Sequence, residues 1–187
     1  MKASLTVALM MLTATAAIAE PMSGRAAKKL LFPAKAAVQA EMLPSSGLSA
    51  EDQTILASVA TQQPYYGAIA ISPEDGLLAE STVAAANYHD TAAAEVAALA
   101  QCEAKRTGAT PCVIAALIRP EGYEARDLSL SRDASAAFRA DYPAKRGALA
   151  ISGTTGAWGL GQGADAALAA CAAKGAEITD CAVVIAD

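Results

Sequence analysis

The stretch Gly67-Ala68-Ile69-Ala70-Ile71-Ser72 comes back as Gly147-Ala148-Leu149-Ala150-Ile151-Ser152. Both copies read as strands. Each is followed by a glycine four residues past its serine (Gly76, Gly156), an alanine-rich helical run and a cysteine pair. The pairs are Cys102 with Cys112 and Cys171 with Cys181. A strand, a helix and a cysteine pair recurring in one order describe a structural unit made twice. The helices leading into the first cysteines agree closely: 97–105 and 166–174 differ at only two positions. Alanine-rich composition explains part of that agreement, but not the shared register of cysteines, strand and helix caps.

The elements around these strands follow from local signals. Ser49 suits an N-cap, with Glu51 and Asp52 in the first helical turn and Ile55, Leu56 and Val59 on one apolar face. Pro64 stops that helix, and Ser72-Pro73-Glu74-Asp75-Gly76 is a turn. Residues 77–82 read as the returning strand of a hairpin, and 83–90, with no counterpart in the second copy, as an insertion. A helix over 91–106 follows, with Ala92, Val96, Leu99 and Cys102 on one face, and then a strand over 112–118. The second copy restarts at Leu130-Ser131-Arg132-Asp133 and repeats the plan through a helix ending before Pro143, a hairpin, a helix over 164–174 and a strand over 181–186.

The expected fold is therefore α+β, a tandem duplication of a helix–strand–strand–helix–strand unit. It predicts a mostly antiparallel sheet, or two abutting ones, with helices on one face. Copy one spans 48–120 and copy two 128–187. Residues 20–47 read as a tail or strap. Arg25, Lys28, Lys29 and Lys35 make it locally basic, and Leu30-Leu31-Phe32 offers a means of pinning it to the domain.

Residues 1–19 have the pattern of a signal peptide. Lys2 supplies the positive start, 5–14 an apolar run, and Ala17-Ile18-Ala19 the small residues before a mature terminus at Glu20. The run is shorter than the ~20 residues that span a bilayer, so no transmembrane segment is expected in the mature chain. The net charge of −5 gives no footprint for nucleic acid. Only two Phe and one Trp are available to fill large spaces, which leaves the core to Ile, Leu, Val and alanine.

Four cysteines allow three pairings. In each copy one cysteine falls in the last turns of a helix and the other at the start of the next strand. Bridges Cys102–Cys112 and Cys171–Cys181, each across a tight helix-to-strand return, are thus expected in an oxidising compartment. A metal site is not expected, since zinc sites need closer spacing and more ligands than His89 alone supplies. A redox centre would show Cys-x-x-Cys, which is missing.

Signals for chemistry are weak. His89 beside Asp90, with Ser72 or Ser81 upstream, is the nearest approach to a nucleophile and base, but there is no Gly-x-Ser-x-Gly elbow. A solvated imidazole in a surface loop is the plainer expectation. Gly156, Gly159, Gly161 and Gly163 precede a helix without the spacing of a phosphate cradle, and read better as a glycine-bearing hairpin strand. Tyr65, Tyr66, Asn87, Tyr88, His89 and Trp158 form the candidate binding surface, an aromatic groove for a peptide, a glycan or a periplasmic protein.

The motif Tyr66-Gly67-Ala68-Ile69-Ala70, glycine turn, alanine-rich helix and Cys112-Val113-Ile114, repeated from Gly147 through Cys181-Ala182-Val183-Val184, resembles a family of small exported bacterial proteins, domain-of-unknown-function family 4189. That resemblance implies a fold and a bridge, and carries no catalytic residue. The chain is also similar to short alphaproteobacterial proteins labelled 5-aminolevulinate synthase. The enzyme of that name is a much larger pyridoxal-phosphate protein whose lysine forms a Schiff base in a big α/β domain. No stretch of this chain supplies that domain, so no cofactor is expected, and a non-catalytic binding module is the expected function.

Overall fold

A computed structural model describes residues 20–187; the signal-peptide reading of 1–19 lies outside them. Among these residues are two antiparallel sheets and five α-helices. A short N-terminal portion gives helix α1 (Gly24–Leu30) and strand β1 (Val38–Met42). The first half then runs α2 (Ala50–Ala60), β2 (Gly67–Ile71), β3 (Val83–Ala85), α3 (Thr91–Glu103) and β4 (Val113–Pro120). The second half runs α4 (Arg132–Asp141), β5 (Gly147–Ser152), β6 (Trp158–Gln162), α5 (Ala164–Ala172) and β7 (Cys181–Ala186).

The two halves share more than element order. Their sheets are arranged β1-β4-β2-β3 and β6-β5-β7, so β2 and β5 hold the same place between equivalent neighbours. The β2–β4 ladder shifts register between Ile69 and Ala70, and the β5–β7 ladder shifts between Leu149 and Ala150.

Helices cover both faces of each sheet, not one face as the sequence suggested. Gly67–Ile71 has no polar side chain and is buried throughout, which demands cover on both sides. Ala68 and Ala70 face α3, against Ala94, Ala98 and Cys102, while Ile69 and Ile71 face Leu56 and Ala60 of α2. The second sheet repeats this, with Ala148 and Ala150 toward Ala167 and Cys171 of α5, and Leu149 toward Ala134 and Phe138 of α4. The alanine face lets a helix come close, and the larger aliphatics fill the opposite side.

That close approach also decides which helix residues are buried. The buried line on α3 is Ala94, Ala98 and Cys102, not Ala92 and Val96; Val96 is 70% exposed. In β6 the approach reaches the backbone. A Cβ on Gly159 would meet the Cys171 nitrogen at 2.3 Å, and one on Gly161 the Ala167 nitrogen at 2.5 Å. The Gly159 and Gly161 positions are therefore a seat for α5, in keeping with a hairpin strand.

Residues 77–82 do not return as a strand. The strand is Val83–Ala85, inside the stretch read as an insertion, and it pairs Ala68 with Ala85 and Ala70 with Val83. The extra length of the first half lies on either side of β3, in the 72–82 loop before it and the 86–90 segment after it.

Residues 20–47 are a strap and not a free tail. Met22 bridges to Ile185 at the edge of β7, with Met22 N–H donating to the Val184 carbonyl at 2.9 Å. Ala27 and Leu31 are buried against α4 and β5. Phe32 is buried with Tyr65 and Tyr66, and β1 pairs with β4 at the far end. Arg126 and Arg139 donate to the carbonyls of Leu30 and Leu31 that the end of α1 leaves unpaired. The basic side chains Arg25, Lys28 and Lys29 remain exposed on the outer side of α1.

Both disulfides join the expected partners, Cys102 with Cys112 and Cys171 with Cys181, at Cα separations of 6.1 and 6.2 Å. No described helix is long and apolar enough to cross a membrane.

Candidate functional site

The segment after β3 meets the first turn of α4 from the other half. A helix begins with backbone N–H groups that have no partner inside the helix. Here most of those donors are met by the first half. Arg132 N–H donates to the Tyr65 carbonyl at 3.2 Å, and Asp133 N–H to Asn87 Oδ1 at 3.2 Å. Asn87 Nδ2 returns a bond to Asp133 Oδ2 at 2.8 Å. Asn87 holds a left-handed conformation (φ 65°) that asparagine tolerates better than most residues. Ser131 Oγ caps the helix by accepting from Ala134 N–H.

His89 stands at the centre of this junction and is not solvated, being only 3% exposed. Its Nδ1 accepts from the Ser131 N–H at 3.1 Å, so the ring proton sits on Nε2, which donates to the Ala157 carbonyl at 2.9 Å. Burial pushes the imidazole pKa below its usual value, against smaller upward pulls from the Ala157 carbonyl and Asp90. The geometry holds a neutral ring with both nitrogens engaged. Neither Ser72 nor Ser81 is among its hydrogen-bond partners: Ser81 Oγ donates to Asp75, and Ser72 Oγ is buried without a partner. Gly156 is part of the same junction, since a Cβ there would meet the Asn87 carbonyl oxygen at 2.4 Å.

The residues expected to form an aromatic groove are distributed otherwise. Tyr65 and Tyr66 are buried, joined by a cis peptide and packed edge to face. Tyr65 Oη donates to the Pro33 carbonyl at 3.0 Å, and desolvation raises the pKa of both phenols. Tyr88 is half-buried against the α3 core. Trp158 is half-buried on the opposite half, with the Lys174 ammonium over its ring. Of the candidate surface, Tyr65, Asn87 and His89 meet the second half at the junction, Tyr66 packs with Tyr65, Phe32 and Tyr123, and Trp158 lies beside Ala157. They hold the fold together and leave no open groove lined by the tyrosine pair.

Each disulfide loop is tied to the turn that follows β2 or β5 in its own half. In the first half Asp75 accepts from Thr107 Oγ1, Thr107 N–H and Gly108 N–H, and Glu74 from Ala109 N–H, Thr110 N–H and the Thr110 hydroxyl. In the second half the carboxylate comes from the other side: Asp180 accepts from Thr154 N–H and Thr154 Oγ1, both at 2.9 Å. These bonds hold all three carboxyls below the usual carboxylate range, the largest cause being the hydroxyl of Thr110 for Glu74, Thr107 for Asp75 and Ser152 for Asp180. They remain ionised at any physiological pH.

The feature the sequence did not disclose is an apolar lip beside α2. Ile55 and Val59, expected inside with Leu56, are 46% and 45% exposed, and only Leu56 of the three is buried. Facing them is the 77–82 loop, whose Leu78 is 95% exposed. Ile55, Leu56, Val59, Leu77, Leu78, Ala79 and Thr82 line a groove of about 250 Å³. The sequence signal was the Leu77-Leu78 pair, which lacks the alternation of a half-buried strand. Next to it lies a polar hollow of about 460 Å³ lined by Glu74, Asp75, Ala79, Glu80, Ser81, Lys105 and Thr107.

Among the described residues no group of three or more His, Cys, Asp or Glu side chains is placed to hold a metal ion. No family model, curated protein or solved structure matches the chain.

Proposed function

We propose that this protein is an exported, disulfide-stapled interaction module, built by doubling one helix–strand–strand–helix–strand unit, that acts by binding and not by catalysis. The observation that carries this reading is the apolar lip. One exposed leucine on a surface is ordinary, but Leu78, Ile55 and Val59 together flank a groove. Contiguous apolar side chains flanking a groove give a partner surface to bury, which supports binding here. The loop that makes the lip belongs to the extra length of the first half, and it leaves Leu78 outside the core while Leu77 packs against it. Bridged cysteines and the signal-like residues 1–19 support export to an oxidising compartment. An enzyme centred on His89 is disfavoured, because a general base needs a nitrogen within reach of substrate, and here both serve the junction.

The test is site-specific photo-crosslinking in cells that express the chain from its Met1. A photoreactive phenylalanine at Leu78 or Val59 is expected to give discrete adducts, with none from exposed Ala172 on α5. Cell fractionation and N-terminal sequencing should find the mature chain outside the cytoplasm, starting at Glu20. Retention in the cytoplasm, or no adduct at either lip position, refutes the proposal.

A further inference from the structure

The apolar groove does not stand alone. Ala79 lines both it and the polar hollow beside it, so the two form one continuous surface. The hollow is lined by three carboxylates, Glu74, Asp75 and Glu80, and one cation, Lys105. Glu74 and Asp75 accept from N–H groups and hydroxyls, which satisfy their lone pairs without neutralising their charge. The exposed Glu80 is two residues from Leu78. The surface therefore offers apolar contact at one end and negative potential at the other, with Ala79 between them.

That pairing restricts the occupant. A second copy meeting this face with its own would bring the same carboxylates against one another, and an anionic lipid surface or nucleic acid would be repelled. A neutral partner would leave the charge uncompensated. From this charge complementarity we infer that the partner is a protein or peptide with a cationic apolar segment: a leucine-sized side chain seats between α2 and the 77–82 loop, and a lysine or arginine a few residues away enters the Glu74–Asp75–Glu80 hollow. The inference rests on the binding reading above and specifies its ligand.

The experiment titrates isotopically labelled mature protein with three synthetic twelve-residue peptides, alternating Leu-Lys, Leu-Glu and Ser-Lys, and follows backbone amide shifts. The Leu-Lys peptide is expected to shift amides of 55–59 and 74–82, and to bind at least tenfold more tightly than either control. Leu78→Ser should weaken it about tenfold, the loss of one buried leucine. Glu80→Lys should weaken it about threefold at low salt, with the difference shrinking at 0.5 M salt. Both side chains are exposed, and an unchanged melting temperature confirms that the variants fold. Equal binding of the Leu-Lys and Leu-Glu peptides, equal binding of the Ser-Lys peptide, shifts that map elsewhere, or no binding at all overturns the inference. The cross-links at Leu78 decide separately whether the binding face itself stands.

Discussion

Replacing His89 with alanine removes both bonds that its ring makes to the second half, leaving the Asn87–Asp133 pair in place. Each such hydrogen bond contributes about 1 kcal/mol net, and a buried donor left alone costs about 1–3 kcal/mol. Ser131 is fully buried, so its N–H carries the larger loss, while the half-buried Ala157 carbonyl recovers part of its loss from water. The expected destabilisation is about 2–4 kcal/mol, read as a lower urea midpoint at unchanged slope. His89→Asn keeps an acceptor near the Nδ1 position and His89→Gln a donor near the Nε2 position, so each should recover part of the loss. The wild type should also depend on pH in a way neither amide shares. Its imidazole pKa is lower folded than unfolded, so the native state binds fewer protons in that window. The histidine contribution is whole above the unfolded value near 6.5 and is lost as pH falls below it toward the folded value. Asp90, Arg132 and Asp133 are the charged groups nearest the junction, and they are the same in every variant. Subtracting the His89→Gln curve from the wild-type curve between pH 8 and pH 5 isolates the ring. Parallel curves, or a loss below about 0.5 kcal/mol in His89→Ala, would refute the junction as the origin of this histidine's burial.

Three further outcomes are expected. Gly159→Ala and Gly161→Ala should each destabilise by about 2 kcal/mol or more by forcing α5 off β6, whereas Gly153→Ala, whose nearest neighbour is 3.8 Å away, should change the melting temperature little. Equal losses at all three positions would contradict the backbone contact. Replacing both cysteines of either pair by serine should cost about 2–3 kcal/mol, since each bridge closes a separation of 10 residues; peptide mapping that found free thiols or links between halves would dispose of the pairing. Mature protein incubated with glycine, succinyl-CoA and pyridoxal phosphate should form no aminolevulinate, and formation above a no-protein blank would overturn the binding-module proposal.

What the sequence determined by itself is the part governed by short range. Ser49 and Ser131 accept from the N–H three residues on, Asp52 and Ala134, and so cap their helices from within a single turn. Each cysteine pair closes a return too short to admit another partner easily, and Gly67–Ile71 and Gly147–Ser152 announce themselves as strands by their recurring alternation of small and aliphatic residues. The tertiary structure decided which faces were covered and how the halves met. Ile55, Leu56 and Val59 share a helical stripe, but only Leu56 reaches the sheet. The α3 stripe turned toward its alanines because Ala68 and Ala70 admit a closer helix than larger residues would. His89 is bonded to groups 42 and 68 residues away. No local pattern encodes such a pairing: in sequence the imidazole looked like a surface loop residue, and only the packing of one half against the other made it a buried clamp. The same holds for Leu78, which became an exposed lip because the neighbouring strand formed at Val83–Ala85 and left residues 77–82 outside the sheet.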